Sequence, residues 1–435
     1  MARPSRKSDQ RARIHQAMIE VLARKGYAQA NIAQAISLAH VSRSTFYQHF
    51  DDKLDCFLSI QSELNDRVMA NIERIVDDRG HEDCTCTAIQ GLVELVEHDP
   101  AGARVVLSES LAAGPRAMDA RDALMERIGH LIEESWASLP PGARQIDVPA
   151  CVLVGGACRL LSIRLLRGAG GTPDVLSDLL SWVESYGRSD GQTKWRTLGR
   201  KDLTALVPSP HAEIPPTTVP ARLPSGRHNL PASYIAANQR ERILRATVAV
   251  ILKKGYTATT VGDIVAEAQL TRAAFYQHFR DKAELLSAIN QVNFEQMMAV
   301  TARAFFSEEV WPERVWAAIH AAGEMNASHP AGAHIGFIDT NLVGPELTRR
   351  VNDIIMAFAV FIEEGYSYRP DAEALPRLCS EAIASALCEL MYGELRQERA
   401  ARFRDLIPYV AYVALAPFMG PETASEFVEG KLRKE

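Results

Sequence analysis

Two stretches of the chain carry the same donor chemistry. Arg43, Tyr47, Gln48, His49 and Lys53 fall within eleven residues, and 229 positions later Arg272, Tyr276, Gln277, His278 and Lys282 recur in the same order at the same spacing. A guanidinium fork, a phenol, a carboxamide, an imidazole and an ammonium are donors suited to phosphate oxygens and the edges of bases. They are not a set for covalent catalysis. The sequence also has no nucleophile elbow, phosphate loop, metalloprotease helix or kinase signature, so an enzyme is not expected. At the centre of each stretch stands one pentapeptide, Phe46-Tyr47-Gln48-His49-Phe50 and Phe275-Tyr276-Gln277-His278-Phe279. The same offset places Gly26-Tyr27 on Gly255-Tyr256, Ala39 on Ala268 and Asp52-Lys53 on Asp281-Lys282. One unit occurs twice.

The charge distribution agrees with that chemistry. Residues 1–53 hold nine Lys/Arg against four Asp/Glu and residues 222–282 hold ten against four, in a chain whose net charge is -6. Two basic islands on an acidic remainder put the attraction for phosphate at the repeats and discourage other surfaces from lying on DNA. The composition, 47% hydrophobic and 23% charged, is that of a globular protein, and 435 residues suit two to four domains. Seven cysteines, an odd and sparse set without a secretory signal, point to reduced thiols in the cytoplasm. The apolar run Leu406 to Met419 is too short to span a bilayer and contains Pro408 and Pro417, so no membrane segment is expected. His81-x-x-Cys84-x-Cys86 has a soft-metal spacing but no fourth ligand nearby, and neither a metal nor a cofactor is expected. Gly168-Ala169-Gly170-Gly171 follows no strand and reads as a turn.

The elements that must position the donors are helical. Ile14, Met18, Val21 and Leu22 recur at helical spacing from Arg11 to Lys25, and Gly26 stops that helix. Asn31 caps a short second helix through Leu38, Ala39-His40-Val41 makes a tight turn, and Ser42 caps a third helix running to about Phe50. In the second copy Arg240 to Lys254, Thr260, Ala268-Gln269-Leu270 and Thr271 take the same places. Two short helices joined by such a turn are the helix-turn-helix pattern. Phe46, Phe50, Phe275 and Phe279 face the core of each small domain by their spacing, which leaves Tyr47 and Tyr276 on another face.

Apolar periodicity continues after each third helix for well over a hundred residues. Pro100-Ala101-Gly102-Ala103 matches Pro330-Ala331-Gly332-Ala333 and Gly114-Pro115 matches Gly344-Pro345, at an offset of 230. The large helical bodies are therefore duplicated with the small heads. Expected domains are a head at 1–53, a body at 54–205, a Pro-rich connector at 206–232, a second head at 233–282 and a second body at 283–435. An extended connector of that length reaches some 75 Å at about 3.1 Å per residue.

Each half resembles a complete subunit of the tetracycline-repressor (TetR) type of bacterial transcription regulator, most specifically over 10–57 and 239–286, where Phe-Tyr-x-His-Phe-x-x-Lys follows the helix-turn-helix. The resemblance implies an all-α fold of two tandem units, each a three-helix DNA-binding head on a helical ligand-binding and dimerising body. The first copy departs from the pattern, with Asn31-Ile32-Ala33-Gln34-Ala35-Ile36 where Thr-Val-x-Asp-Ile-Ala is usual and Cys56 in place of Leu; Thr260-Val261-Gly262-Asp263-Ile264-Val265 is closer. The DNA-facing residues it implies are Arg43 and Arg272, one residue past the caps and aimed at guanine N7 and O6, and Tyr47 and Tyr276, bonded to phosphate. Ser44 and Thr45 become Ala273 and Ala274, methyl groups suited to thymine. Gln48, His49, Gln277 and His278 are phosphate or base contacts or plain helix caps, and Lys53 and Lys282 meet phosphate at the start of the fourth helix.

The expected partner is a double-stranded DNA operator, held by two heads that must reach major grooves about 34 to 36 Å apart. Fusion would supply both heads from one chain as an intramolecular pseudo-dimer packed through 150–166 with 174–186 and 372–395 with 399–415. An unknown small apolar ligand would release the operator, with repression as the implied mode. Met118, Met125, Trp136, Trp182, Phe337 and Met356 are among the residues that either line its pocket or fill core. Other arrangements stay open: a homodimer with four heads, a first head without specific binding, or a ligand sensor acting through another protein.

Overall fold

The structure, a computed structural model, describes residues 6–79, 84–138, 146, 148–168, 174–187, 219–220, 230–397, 399 and 402–433. The first half runs α1 (Arg6–Gln29), α2 (Ile32–Ala39), α3 (Arg43–Tyr47), α4 (Lys53–Arg79), α5 (Cys84–His98), α6 (Pro100–Arg104), α7 (Ser110–Ala112), α8 (Pro115–Ser138), α9 (Ala150–Leu166) and α10 (Val175–Glu184). A π turn, Val105–Glu109, joins α6 to α7. The second half runs α11 (Ala232–Ala258), α12 (Val261–Ala268), α13 (Arg272–His278), α14 (Lys282–Phe305), α15 (Trp311–Ser328), α16 (Pro330–Phe337), α17 (Pro345–Phe358), α18 (Val360–Glu363), α19 (Leu378–Arg396), α20 (Phe403–Met419) and α21 (Pro421–Leu432). Among the described residues an isolated bridge, Ile146 to Gly187, is the only β pairing. The fold is all-α and duplicated.

Most boundaries follow from local chemistry. Gly26 and Gly255 adopt φ of 73° and 76°, a conformation that costs glycine little and breaks the first helix of each head where the spacing predicts. Pro100, Pro115, Pro330, Pro345 and Pro421 each stand at the first turn of a helix, where a missing N–H costs nothing. Two features differ from expectation. The third helix of the first head closes at Tyr47, short of Phe50. The C-terminal periodicity read to 415 runs on to Met419 through Pro408 and Pro417, and a further helix, α21, follows. The Arg369 guanidinium donates to the Phe418 carbonyl at 2.7 Å and meets that of Pro417 at 3.5 Å, closing the end of α20. Most of the connector at 206–232, His81 of the soft-metal spacing and Ala169 to Gly171 of the glycine turn lie outside the described residues.

The two halves pack through α9 against α19, with α10 beside them. Small residues allow the approach. A Cβ on Gly156 would stand 2.8 Å from that of Ala386 and 2.9 Å from the Trp182 ring, and one on Gly155 would stand 3.2 Å from Glu389 Cβ. Around this crossing the Tyr186 hydroxyl donates to the Val413 carbonyl at 2.8 Å, and the Trp182 indole N–H points to Tyr186 at 3.2 Å. Trp182, offered by the sequence as pocket wall or core, is wholly buried core, as is Met118. α20 is buried nearly all round, which its uniform apolarity required.

A methyl group at Gly156 has no room and must displace backbone or ring. Gly156→Ala is expected to lower the unfolding midpoint, at about 1 to 3 kcal/mol. Gly393→Ala in α19, where an added methyl meets nothing within 4 Å, should be neutral or stabilising by up to about 1 kcal/mol. Equal midpoints for the two variants would contradict the close crossing.

Candidate nucleic-acid interface

Each head is built by caps that satisfy the orphan N–H groups of very short helices. Asn31 opens α2 in a full capping box with Gln34, and Thr260 opens α12 in one with Asp263. The neutral box of the first head is thus as complete as the acidic box of the second, despite its departure from the family pattern. Lys254 beside Asp263, with two hydrogen bonds from Thr260, holds that carboxyl well below the usual carboxylate range. His40 and Gln269 make the turn in the left-handed region, both at φ 51°. Ser42 and Thr271 then cap α3 and α13 by accepting from the Thr45 and Ala274 N–H groups. Cys56 is buried where Leu285 stands in the second head, and burial pushes its thiol up to about 12.

The two donor strips are superimposable in exposure. Arg43, Ser44, Tyr47 and Gln48 face solvent, as do Arg272, Ala273, Tyr276 and Gln277. Tyr47 is 45% and Tyr276 58% exposed although each ring leans edge-on against a buried phenylalanine, Phe46 or Phe275. That leaves each hydroxyl free at the end of a fixed ring. The Arg43 guanidinium lies 5.7 Å from the Tyr47 ring centre, while Arg272 lies over the open face of Gly262.

Other sequence candidates are placed differently. Thr45 and Ala274 are half-buried, and the Thr45 hydroxyl is 2.8 Å from that of its own cap Ser42. His49 and His278 are also half-buried, against Phe50 and Phe279. His278 Nε2 is 3.2 Å from Gln239 on α11, and burial, with Arg240 nearby, holds its pKa below the ordinary histidine value. Lys53 and Lys282 turn inward. The Lys53 ammonium donates to the Tyr27 and Ala30 carbonyls at 2.9 and 3.1 Å, and that of Lys282 to Tyr256 and Thr259 at 2.7 and 2.9 Å. Each also sits 4.0 Å above a tyrosine ring, Tyr27 or Tyr256. One N–H of each ammonium is left for anything outside.

Two further basic residues escaped the sequence reading. Arg13 bonds the carbonyls of Ala39 and His40, and Arg242 that of Ala268, so each holds the end of the second helix against the first. The 229-residue offset that relates Arg13 to Arg242 was the available signal. Part of the positive charge of both heads is therefore internal fastening.

Lys282→Met leaves two carbonyls without their donor and is expected to destabilise the second head by about 1 to 3 kcal/mol. Unchanged stability with weaker binding to all DNA would make the lysine a phosphate ligand alone. Because the folded state favours neutral His278, its contribution is retained above the unfolded value of about 6.5 and lost as pH falls from there through the lower folded value. Thermal scans from pH 7 to 5 should show a smaller acid loss in His278→Gln than in the unaltered chain; identical slopes would refute this.

The family model described as "Bacterial regulatory proteins, tetR family" matches residues 14–60 and 243–289, which are the two heads. The HTH-type transcriptional regulator TtgR of Pseudomonas putida is 29% identical over 171 residues, covering 38% of this chain and 74% of the relative. The HTH-type transcriptional repressor BepR of Brucella suis biovar 1 is 39% identical over 71 residues, or 16% and 34% of the two chains. A solved bacterial regulatory protein in the tetR family from Rhodococcus RHA1 aligns at 26% identity over 41% of this chain and 96% of its own, with a TM-score of 0.36. With one match to the tetR family model on each helix-turn-helix head, the chain carries two TetR-like units in tandem.

Proposed function

We propose that this DNA-binding regulator is a single-chain pseudo-dimer whose two heads read unlike half-sites of one operator and let go when a small apolar ligand enters a body. The observation that carries the reading is the repeated exposed strip, Arg43-Ser44 with Tyr47-Gln48 and Arg272-Ala273 with Tyr276-Gln277, on two equally capped heads. In it the arginines address guanine N7 and O6 and the tyrosines and glutamines grip the backbone. Ser44 against Ala273 is the difference that separates the half-sites, a hydroxyl against a methyl. Thr45 against Ala274 contributes less, since the Thr45 hydroxyl already serves its cap. His49 and His278 act by supporting the strip, and Lys53 and Lys282 offer phosphate their one remaining N–H. Repression is favoured by the name of the Brucella relative.

Unequal filling of the two bodies supports a ligand. On α4 of the first body Phe57, Ile60, Leu64, Val68 and Ile72 are buried throughout its length. On α14 of the second, Phe294 and Met298 are only partly covered, as are Met356 and Phe358 of the facing α17. Large apolar groups left partly exposed on facing helices are what a small apolar molecule would cover. Only a ligand that binds the two head arrangements unequally releases DNA.

One chain should protect two half-sites about one helical turn apart. Affinity should fall by about a thousandfold between 50 and 200 mM salt if some six phosphates are contacted. Arg272→Ala is expected to cost about 1 to 3 kcal/mol at one base position, whereas Tyr276→Phe weakens specific and random DNA alike. Two chains per operator, or equal losses from Arg272→Ala on specific and random DNA, would overturn the assignment.

A further inference from the structure

The crossing of α9 and α19 brings together residues that occupy the same position in the two repeats. The 230-residue offset that relates the bodies places Gly156 on Ala386, Cys158 on Cys388 and Arg159 on Glu389. Gly156 abuts Ala386, and the Arg159 guanidinium bonds the Glu389 carboxylate at 2.5 Å. Residues that touch their own equivalents mark the axis of a two-fold interface. Here that axis runs through a pair of opposite charges.

The pair is dry. The side chains of Arg159 and Glu389 are 4% and 7% exposed, and Arg121 of α8, at 2%, donates to the second Glu389 oxygen at 2.8 Å. Burial alone would raise the Glu389 pKa, but the two guanidiniums hold it below the ordinary carboxylate range. Arg121 has no basic counterpart, since the offset places it on Val351. At the rim Arg164 faces Glu381 at 3.7 Å and Arg167 faces Asp353 at 2.7 Å, again with the cation from the first half. Arg396 runs the other way, to Asp119 and Asp122. In a symmetric pair of first halves, Arg159 would meet Arg159 beside two copies of Arg121. In a pair of second halves, Glu389 would meet Glu389 with no arginine at the Val351 position. Either arrangement leaves uncompensated charge in a dry crossing.

We propose that the Arg159–Glu389 pair, with Arg121, is a pairing code on the pseudo-two-fold axis: it admits a first half against a second half and rejects like halves, so the partner this face fits is the unlike half of this same protein. An ordinary subunit of one repeated sequence cannot carry such a code, because both sides of its axis are the same residue. Duplication and fusion removed that restriction. A buried ion pair adds little net stability compared with apolar packing, and its best attested use is to select one register or partner over another. The inference rests on the packing of the halves and is independent of DNA binding, so it can fail while the regulator reading stands.

The test uses three full-length chains. Glu389→Arg sets three cations together at the axis, and Arg159→Glu sets two carboxylates there. Each alone is expected to speed amide exchange in α9 and α19 on the order of a hundredfold, with heads and outer helices unaffected. Refolded together, the two variants should form a two-chain species of twice the mass with slow exchange restored. In that species the first half of the Glu389→Arg chain pairs with the second half of the Arg159→Glu chain, and the two substituted halves pair with each other. The double variant Arg159→Glu with Glu389→Arg should regain slow exchange as a single chain. If either single variant aggregates, the refolded mixture and the double variant still decide. Exchange as slow in Glu389→Arg as in the unaltered chain would overturn the code. So would a mixture without two-chain species and a double variant no better protected than Glu389→Arg.

Discussion

Everything else in the molecule is positioned by the contact of two helices that nearly touch backbone to backbone. α9 and α19 cross where Gly155 and Gly156 meet Ala386 and the stem of Glu389, a spacing that no larger residue on α9 permits. Packing at that distance leaves little freedom of rotation or sliding, because every displacement drives Trp182 or Ala386 into its neighbour. The bodies inherit their relative placement from this crossing, and the heads inherit theirs from the bodies. The proposed reading of two half-sites by one chain depends on this, since half-site spacing is a geometric requirement and a loose joint would spread the heads over many spacings.

Within each head the sequence is spent mostly on construction. A domain of about fifty residues has a small core for its surface, and fastenings between backbone and side chain make up the difference. Arg13 and Arg242 hold the turn, Lys53 and Lys282 hold the loop after the first helix, and four side-chain caps start the short helices. These fastenings recur in both copies. On the exposed strip the heads differ at Ser44 against Ala273, where no packing constrains the choice.

This division explains what was legible beforehand. Gly26, Asn31, Ser42 and their repeats encode local geometry, which chain-neighbour chemistry decides, so head helices and caps could be read directly. The inward turn of Lys53 could not, because its acceptors, the Tyr27 and Ala30 carbonyls, come from residues 26 and 23 positions away. Composition counted that lysine as free charge. The interface helices were legible as elements from their apolar periodicity. The charge code on their axis was not, because Arg159 and Glu389 become partners only when the repeats are aligned and their crossing point is known. α21 was missed because Pro421, after Met419 and Gly420, reads as the end of a helix and here begins one.

The duplication is not symmetrical where head meets body. In the first half Glu109, on the π turn, accepts from the Tyr27 N–H at 2.7 Å and from Arg104 Nε at 2.8 Å, while Arg104 also donates to the Ala23 carbonyl. The offset of 230 puts Asp339 and His334 in the places of Glu109 and Arg104, and there the two pair with each other at 3.0 Å. The first head is also touched from across the molecule, with Pro345 of α17 against Gly26 and Ala28 near Gly344. It therefore stands where its own body and the opposite body meet. A shift of α17, the helix that carries the half-covered Met356 and Phe358, bears directly on the end of α1 in the other half. The second body thus touches the first head directly, through Pro345 against Gly26 and Gly344 near Ala28, a contact that the first body does not return in kind through its own Pro115 and Gly114, where an added methyl on Gly114 meets nothing within 4 Å.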